Sequence, residues 1–339
     1  EIVYNDYIYE TKSSSGLNRH FEQYANDLSR NLQLEKNSFV VDIGSNDGTF
    51  LSYLSEKNFR VLGVDPAKKI ARVASDNGMP TLPQFFDRKT AEYILNEFGA
   101  ADVVTVNNLF ANIDDVDKFV RNVDHLLGRD GVLVIESSYL LDLLDNMIFD
   151  FIYHEHLSYL SIIPLRRFFK EHGMQLIDVS RVGTKGGSLR YYWSRCESKW
   201  KIKPRLKKYI RNEEKANING DKIRVFGKKI DSIKTSTQEI LEKRRGQKVV
   251  GYGASATSTT LISHFELYNY LDHLVDDNPS KIGSFSPGYH IPVYSSERIL
   301  DDSPDLIVIL AWRYADEIIK RNPAYKGAWL VPLPSPTIY

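Results

Sequence analysis

The chain has 339 residues, of which 42% are hydrophobic and 26% charged, a globular composition with length for about two domains. Its 44 Lys and Arg balance 44 Asp and Glu, so no net field draws it toward nucleic acid or an acidic surface. The single cysteine, Cys196, argues against a disulfide framework and a multi-Cys zinc site. No apolar run approaches the ~20 residues of a membrane span, and EIVYNDYIYETKSSS has no apolar signal-peptide core. A cytoplasmic globular protein is expected, without nucleic acid, membrane or metal, and a monomer or weak homo-oligomer.

Residues 1–30 are polar and tyrosine-rich and read as an N-terminal segment ahead of the first regular element. An alternation then begins. SFVVDIGSNDG reads as strand and glycine turn, TFLSYLSEKN as helix, RVLGVDP as strand and KKIARVASDNG as helix. DVVTVNNLF is a strand, DVDKFVRNVDHLLG a helix and GVLVIESS a strand. Short Val/Ile runs between segments of 3.6 period indicate βαβ units and a parallel sheet. This block, 31–195, is expected to be one domain. Residues 199–248 hold seventeen Lys and Arg against six Asp and Glu, in two helical patterns interrupted near Gly220. They read as a basic helical connector, 196–248, either a solvated face or a positive wall beside a phosphate-bearing ligand. A second alternation follows: KVVGYGASATSTTLISHF, HLVDDNP, PDLIVILAW, RYADEIIKRN and GAWLVPLP. It predicts a Rossmann-like domain over 249–339. The fold class is therefore α/β, two doubly wound blocks joined by a helical connector.

The first glycine loop carries the clearest chemical signal. Asp42, Gly44, Asn46, Asp47 and Gly48 follow an apolar strand and open a helix. A dinucleotide fingerprint wants G-x-G-x-x-G with pyrophosphate at the helix N-terminus. Here the glycines are spaced G-x-x-x-G and preceded by an acid, which suits a ligand bearing an ammonium group, such as the methionine part of S-adenosylmethionine. The next strand ends in Asp65-Pro66, where a carboxylate can accept both hydroxyls of a ribose. Phe86 can pack on adenine and Asp87 can accept its amino group. Asn108, after the fourth strand, completes the candidate cofactor set. The alternative is a structural strand-turn with core phenylalanines.

Phe149-Asp150-Phe151-Ile152-Tyr153-His154-Glu155-His156-Leu157-Ser158-Tyr159 resembles the F-D-x-I-Y-H-E-H-x-x-Y signature of the S-adenosylmethionine-dependent sugar C-methyltransferases. That family includes the dTDP-3-amino-4-keto-hexose 3-C-methyltransferase of tetronitrose biosynthesis. Gly186-Gly187-Ser188-Leu189-Arg190 is similar to its G-G-S-x-R segment, and Gly251-Tyr252-Gly253-Ala254-Ser255-Ala256 to its C-terminal glycine turn. Asp276-Asp277-Asn278-Pro279, Pro287–Pro292 and Leu310-Ala311-Trp312 also correspond. Tyr7-Ile8-Tyr9 resembles the segment in which a family tyrosine lies near the reaction centre. The likeness runs over essentially the whole chain. It departs in three places. No cysteine precedes position 196, so the family's N-terminal zinc domain is missing; either the chain begins after it or this member lacks it. Asn112 stands for a family histidine, and Thr257 for a common lysine.

The resemblance implies a class I methyltransferase domain and S-adenosylmethionine as cofactor. The implied substrate is a nucleotide-linked keto-deoxysugar, methylated at carbon 3 beside a 4-keto group. A base makes an enolate, which attacks the sulfonium methyl. It implies His156 as base, Glu155 orienting it, Tyr153 donating to the enolate oxygen, and Tyr9 nearby. His154, Gly187, Ser188, Arg190, Gly253, Ser255 and Trp312, together with Tyr9, form the expected substrate contacts. By residue type alone other readings stand. H-E-H on a strand can place two imidazoles on one face for zinc, or form a buried histidine cluster at a domain seam. The Gly186-Gly187-Ser188 turn also reads as a hairpin between 176–182 and 189–194. The second glycine turn can be mere packing, and Trp312 plain core. An O- or N-methyltransferase and a non-catalytic nucleotide-binding protein are the rival functions, with an NAD-dependent oxidoreductase open through the second glycine turn.

Overall fold

The computed structural model describes residues 15–339, so the expectation for Tyr9 falls outside the described residues. Two compact units emerge, one formed up to residue 140 together with 157–216, the other by 141–156 together with 217–339.

The first unit begins with helix α1 (Ser15–Leu32) and continues through β1 (Phe39–Ile43), α2 (Thr49–Ser55), β2 (Arg60–Val64), α3 (Lys68–Asp76), β3 (Thr81–Leu82), α4 (Arg88–Phe98) and β4 (Ala101–Asn107). It goes on with α5 (Val116–Leu126), β5 (Leu127–Ser138), α6 (Leu140–Asp145, largely in the second unit), α7 (Ile162–Glu171), β6 (Met174–Val182), β7 (Ser188–Arg195) and α8 (Leu206–Ala216). The sheet order is β3-β2-β1-β4-β5-β7-β6, parallel except for β7. Central β1 pairs with both β2 and β4, and all five of its residues are buried, as expected of a parallel strand covered on both faces. This is the doubly wound α/β architecture expected from the alternation. The reading of 186–188 as a hairpin turn also holds, since β6 and β7 are antiparallel neighbours across it.

Helix α1 was not anticipated in the polar N-terminal segment. Its apolar residues fall at helical spacing, Phe21, Tyr24, Ala25, Leu28 and Leu32, and all five are buried against α2 residues Phe50, Leu51 and Leu54. The Tyr24 ring stacks on Phe50 with centroids 4.6 Å apart. The intervening Glu22, Gln23, Asn26, Asp27, Ser29 and Arg30 make the window look like a loop by composition.

The second unit holds α9 (Gly220–Glu242), β8 (Val249–Tyr252), α10 (Ala256–His264), β9 (His273–Asp276), β10 (Val293–Ser295), α11 (Arg298–Asp302), β11 (Leu306–Ile309), α12 (Ala315–Arg321), β12 (Ala328–Val331) and β13 (Thr337–Ile338). Its sheet runs β10-β9-β8-β11-β12-β13, with only β13 antiparallel. Val250, Ile307, Ile309, Ile318 and Trp329 share one core. The basic connector is two helices, α8 and α9, and Asn219 starts the second by accepting from the Lys222 N–H at 3.0 Å. No described helix is long and apolar enough to cross a membrane.

One buried acid ties α8 into the first unit. Glu213 is 3% exposed and accepts from the backbone N–H groups of Ile162 and Ile163, both at 2.7 Å, and from the Tyr139 hydroxyl at 2.8 Å. It caps α7 from a distance, because the side chain of the N-cap residue Ser161 makes no capping bond. Glu213→Ala removes the acceptor that these three donors share and is expected to cost about 2–4 kcal/mol in denaturant unfolding. Lys207→Ala, on the exposed side of the same helix, should stay within about 0.5 kcal/mol.

Candidate active site

The loop from β1 to α2 needs a backbone that few residues adopt. Gly44 and Gly48 both have φ 77° and Asn46 φ 50°, in the left-handed region glycine and asparagine tolerate. The Gly44 N–H returns to the Val64 carbonyl at 2.8 Å. A Cβ on Gly44 would lie 2.9 Å from Leu109 Cδ2, so a larger residue would also have to displace that side chain.

Acids gather at the C-terminal ends of the parallel strands. Asp42, near the end of β1, is 2% exposed. Its Oδ1 accepts from the Thr105 hydroxyl at 2.6 Å and from Asn107 Nδ2 at 3.0 Å. Burial pushes its carboxyl up to about 7, against the pull of the Thr105 hydrogen bond and with help from the charge of Asp65. Asp65, just past β2, accepts one backbone N–H on each oxygen, from Asn46 and Ala67, both at 2.9 Å. Burial raises its pKa as well, with the two N–H bonds opposing. A carboxylate has about four acceptor positions, so capacity for a diol remains on Asp65. Ser45 Oγ and Asn107 Oδ1 are buried without a partner. Orphaned polar atoms beside an acid that has only neutral partners fit a ligand carrying an ammonium group and hydroxyls.

The remaining expected cofactor residues are placed as follows. Asp47 accepts from the Thr49 hydroxyl at 2.6 Å, and Pro66 lies between Asp65 and α3. Phe86 meets Phe119 edge-on at 5.5 Å. Asp87 is the N-cap of α4, accepting from the Thr90 N–H at 2.9 Å, which holds its carboxyl below the usual range. Asn108 has φ 55° and donates its N–H to the Glu136 carbonyl at 2.7 Å. Thr105, Asn107 and Ser45 were not singled out in the sequence. Their signal was weak, because one strand end full of small polar residues looks like any loop.

Two expected substrate contacts turn out to be internal. Arg190 is 1% exposed; it pairs across the β5–β7 register with Glu136 at 2.5 Å and sits 3.7 Å over the Tyr24 ring. Glu136 also takes a 2.6 Å hydrogen bond from His20. The Arg190 charge is thus already neutralised inside the unit, which corrects its expected role as a substrate contact. Ser188 is also fully buried, and its hydroxyl donates to the Thr184 carbonyl at 3.1 Å, closing the hairpin. Gly187, at φ 137°, shapes that turn.

In the second unit, the run Tyr153–His156 follows a single 3₁₀ turn, Phe149–Phe151. His156 Nδ1 lies 2.8 Å from the Phe151 carbonyl oxygen. A carbonyl only accepts, so Nδ1 carries the hydrogen and Nε2 is the basic nitrogen of the neutral ring. The orientation expected of Glu155 is therefore supplied at Nδ1 by the Phe151 carbonyl. The imidazole lies 15° from parallel to the Phe151 ring and 4.4 Å from the Tyr153 ring centroid; His154 is exposed. The turn itself is anchored. Phe149 stacks on Phe265 at 5.3 Å, and buried Asp150 accepts from Arg313 Nη1 at 2.7 Å and Trp312 Nε1 at 3.1 Å. Gly253, at φ 110°, turns β8 into α10, whose N-cap Ser255 accepts from the Ser258 N–H at 3.1 Å. Among the described residues, no three His, Cys, Asp or Glu side chains are grouped to hold a metal ion.

Residues 17–179 match the family described as methyltransferase domain, and 183–334 the family described as C-methyltransferase C-terminal domain. The C-methyltransferase NovU of Streptomyces niveus is 30% identical over 345 aligned residues, covering 100% of this chain and 82% of that protein. Solved structures similar to part of the chain include magnesium protoporphyrin IX methyltransferase ChlM of Synechocystis PCC 6803 with bound SAH, at 15% identity and TM-score 0.42 over 53% of this chain and 84% of that one. Plantazolicin methyltransferase BpumL is another, at 10% identity and TM-score 0.42 over 54% of this chain and 86% of that one.

Asp42 yields a stability test that needs no ligand. Its folded pKa lies above its unfolded value, so the folded state binds the extra proton between about pH 4 and pH 7. The stability of the free protein should therefore fall as pH rises through that window and level off above it. Asp42→Asn, which keeps an acceptor toward Thr105 and removes the charge, should flatten this slope and be the more stable protein at pH 8 in urea titrations. An unchanged slope in the variant contradicts the assignment.

Proposed function

Because the chain belongs to the C-methyltransferase family and is an S-adenosylmethionine-dependent methyltransferase, we propose that it methylates a carbon of a nucleotide-linked keto-deoxysugar, at C-3 beside a 4-keto group. The observation that carries this reading is the 2.8 Å contact from His156 Nδ1 to the Phe151 carbonyl, which makes Nε2 the base. Carbon methylation needs such a base, because a carbon beside a ketone becomes nucleophilic only when its proton is removed. Transfer to oxygen or nitrogen places a weaker demand on one.

His156 takes the proton from the carbon, and Tyr153, next to its ring, donates to the oxygen of the resulting enolate. Glu155 adds negative charge that favours the imidazolium so formed. Asp42 holds the cofactor's ammonium group and Asp65 its ribose, with Gly44, Asn46, Asp47, Gly48 and Pro66 forming the wall around them. Phe86, Asp87 and Asn108 stand at the adenine. S-adenosylmethionine, when bound, supplies an electrophilic methyl group on its sulfonium. His154, Gly187, Gly253, Ser255 and Trp312 are the substrate contacts of this reading. It assigns cofactor binding to residues 31–195, a linking role to 196–248 and substrate support to 249–339.

Isotope exchange separates the proton step from methyl transfer. With a 4-keto nucleotide sugar and a cofactor analogue that cannot donate methyl, the wild type should wash deuterium from solvent into carbon 3. His156→Ala should slow that exchange by ~100- to 10,000-fold while S-adenosylmethionine affinity stays near normal. Full exchange in His156→Ala together with loss in Tyr153→Phe would move the base to the tyrosine. Full exchange in both variants would refute this active site.

A further inference from the structure

The His156 ring is held by a backbone carbonyl, and a carbonyl in a loop has to be held by something else. The loop has backbone bonds from the Ile152 N–H to the Phe149 carbonyl at 2.8 Å and from the His156 N–H to the Tyr153 carbonyl at 3.0 Å. Its fixed point is Asp150, fully buried, whose two oxygens accept from Arg313 Nη1 at 3.0 and 2.7 Å and from Trp312 Nε1 at 3.1 Å. Arg313 makes a second contact with the same turn. Its guanidinium carbon lies 4.6 Å from the centroid of the Phe151 ring, and that ring is the one parallel to the His156 imidazole. Both donors come from the turn after β11, in the sequence Leu310-Ala311-Trp312-Arg313, more than 160 residues along the chain.

We infer that Arg313, with Trp312, is a positioning residue for the general base: it fixes Asp150 and Phe151, and through the Phe151 carbonyl it selects the Nδ1–H tautomer and ring orientation of His156. The inference rests on the reading of His156 as base. The chemistry supports a positioning role over a simple ion pair. One nitrogen, Nη1, reaches both Asp150 oxygens while the guanidinium carbon lies 4.6 Å from the Phe151 ring centroid, so one side chain engages two adjacent residues at once. Lysine, a point charge, can keep the attraction but not the stacking. Trp312 is accordingly committed through its indole N–H to the loop, in addition to any wall it forms for substrate.

The test reads the tautomer directly, without turnover. In the full chain with ¹⁵N-labelled histidine, two-bond ¹H–¹⁵N correlation spectra distinguish Nδ1–H from Nε2–H rings, and His156→Ala assigns the signal. The wild type should show His156 as Nδ1–H above its titration. Arg313→Ala should lose that preference and revert toward Nε2–H, with kcat for methyl transfer falling about ten- to a hundredfold, the scale of a misplaced catalytic group, and S-adenosylmethionine affinity unchanged. Arg313→Lys should restore less than half of the loss. Trp312→Phe keeps the bulk and removes one donor, and serves if Arg313→Ala does not fold; it should shift the same signal in the same direction. An intact Nδ1–H tautomer in folded Arg313→Ala, or in Trp312→Phe where that is the variant that folds, overturns the inference. So does full rescue of kcat by lysine. Failure of the wild type to exchange deuterium into its substrate would instead strike the proposed reaction and leave the tautomer result standing by itself.

Discussion

A parallel strand covered on both faces has no solvent side, so any polar group it carries must sit at its end or be satisfied inside. Strand β1 obeys this constraint, with five buried residues between two parallel neighbours. Its one charged residue, Asp42, is next to last. Strand β2 ends just before Asp65, and β4 ends at Asn107. Because the three strands run in the same direction side by side, their ends converge, and so do these three side chains. The topology that makes the core also assembles this polar cluster.

The buried acids divide by who neutralises them. Burial would raise Glu136, but the His20 hydrogen bond and the Arg190 charge outweigh it and hold its carboxyl below the usual range. Asp42 has only a hydroxyl and an amide, and burial wins, lifting it to about 7. An acid with its own cation inside the fold is architecture, and removing that cation leaves a buried charge exposed to the full desolvation penalty. Asp42, with neutral partners alone, has no cation of its own among the described residues of the unit. The same distinction separates Arg190, committed to the first unit, from a residue available to a ligand.

In the second unit, precision has to be imported. The segment around His156 is a 3₁₀ turn and a loop, which carry few internal hydrogen bonds. Aromatic stacking of Phe149 on Phe265 and the Asp150 clamp supply the missing rigidity, and Lys222, at the start of α9, adds a 3.2 Å ion pair to Asp145. A side chain held in this way keeps one orientation although it belongs to no strand.

The alternation of Val-rich runs with helical periods determined the two α/β blocks, and the break near Gly220 determined the two connector helices. Glycine and acid at the end of β1 marked the left-handed loop and the buried carboxyl there. These are local signals, carried by residues within a turn or two of each other, and they survive without tertiary information. Helix α1 escaped because its apolar stripe is sparse among polar neighbours, and only Phe50, Leu51 and Leu54 reveal what the stripe covers. Glu213 as the cap of α7, Glu136 as the partner of Arg190 and of His20, and Arg313 on Asp150 lie 51, 54, 116 and 163 residues apart. Nothing in the periodicity of either partner points to the other. Which acid meets which base across such distances is settled when the chain closes and each buried charge must find the donor that packing has left within reach. That closure is why the positions of the acids were legible in the sequence and their roles were decided by the tertiary structure.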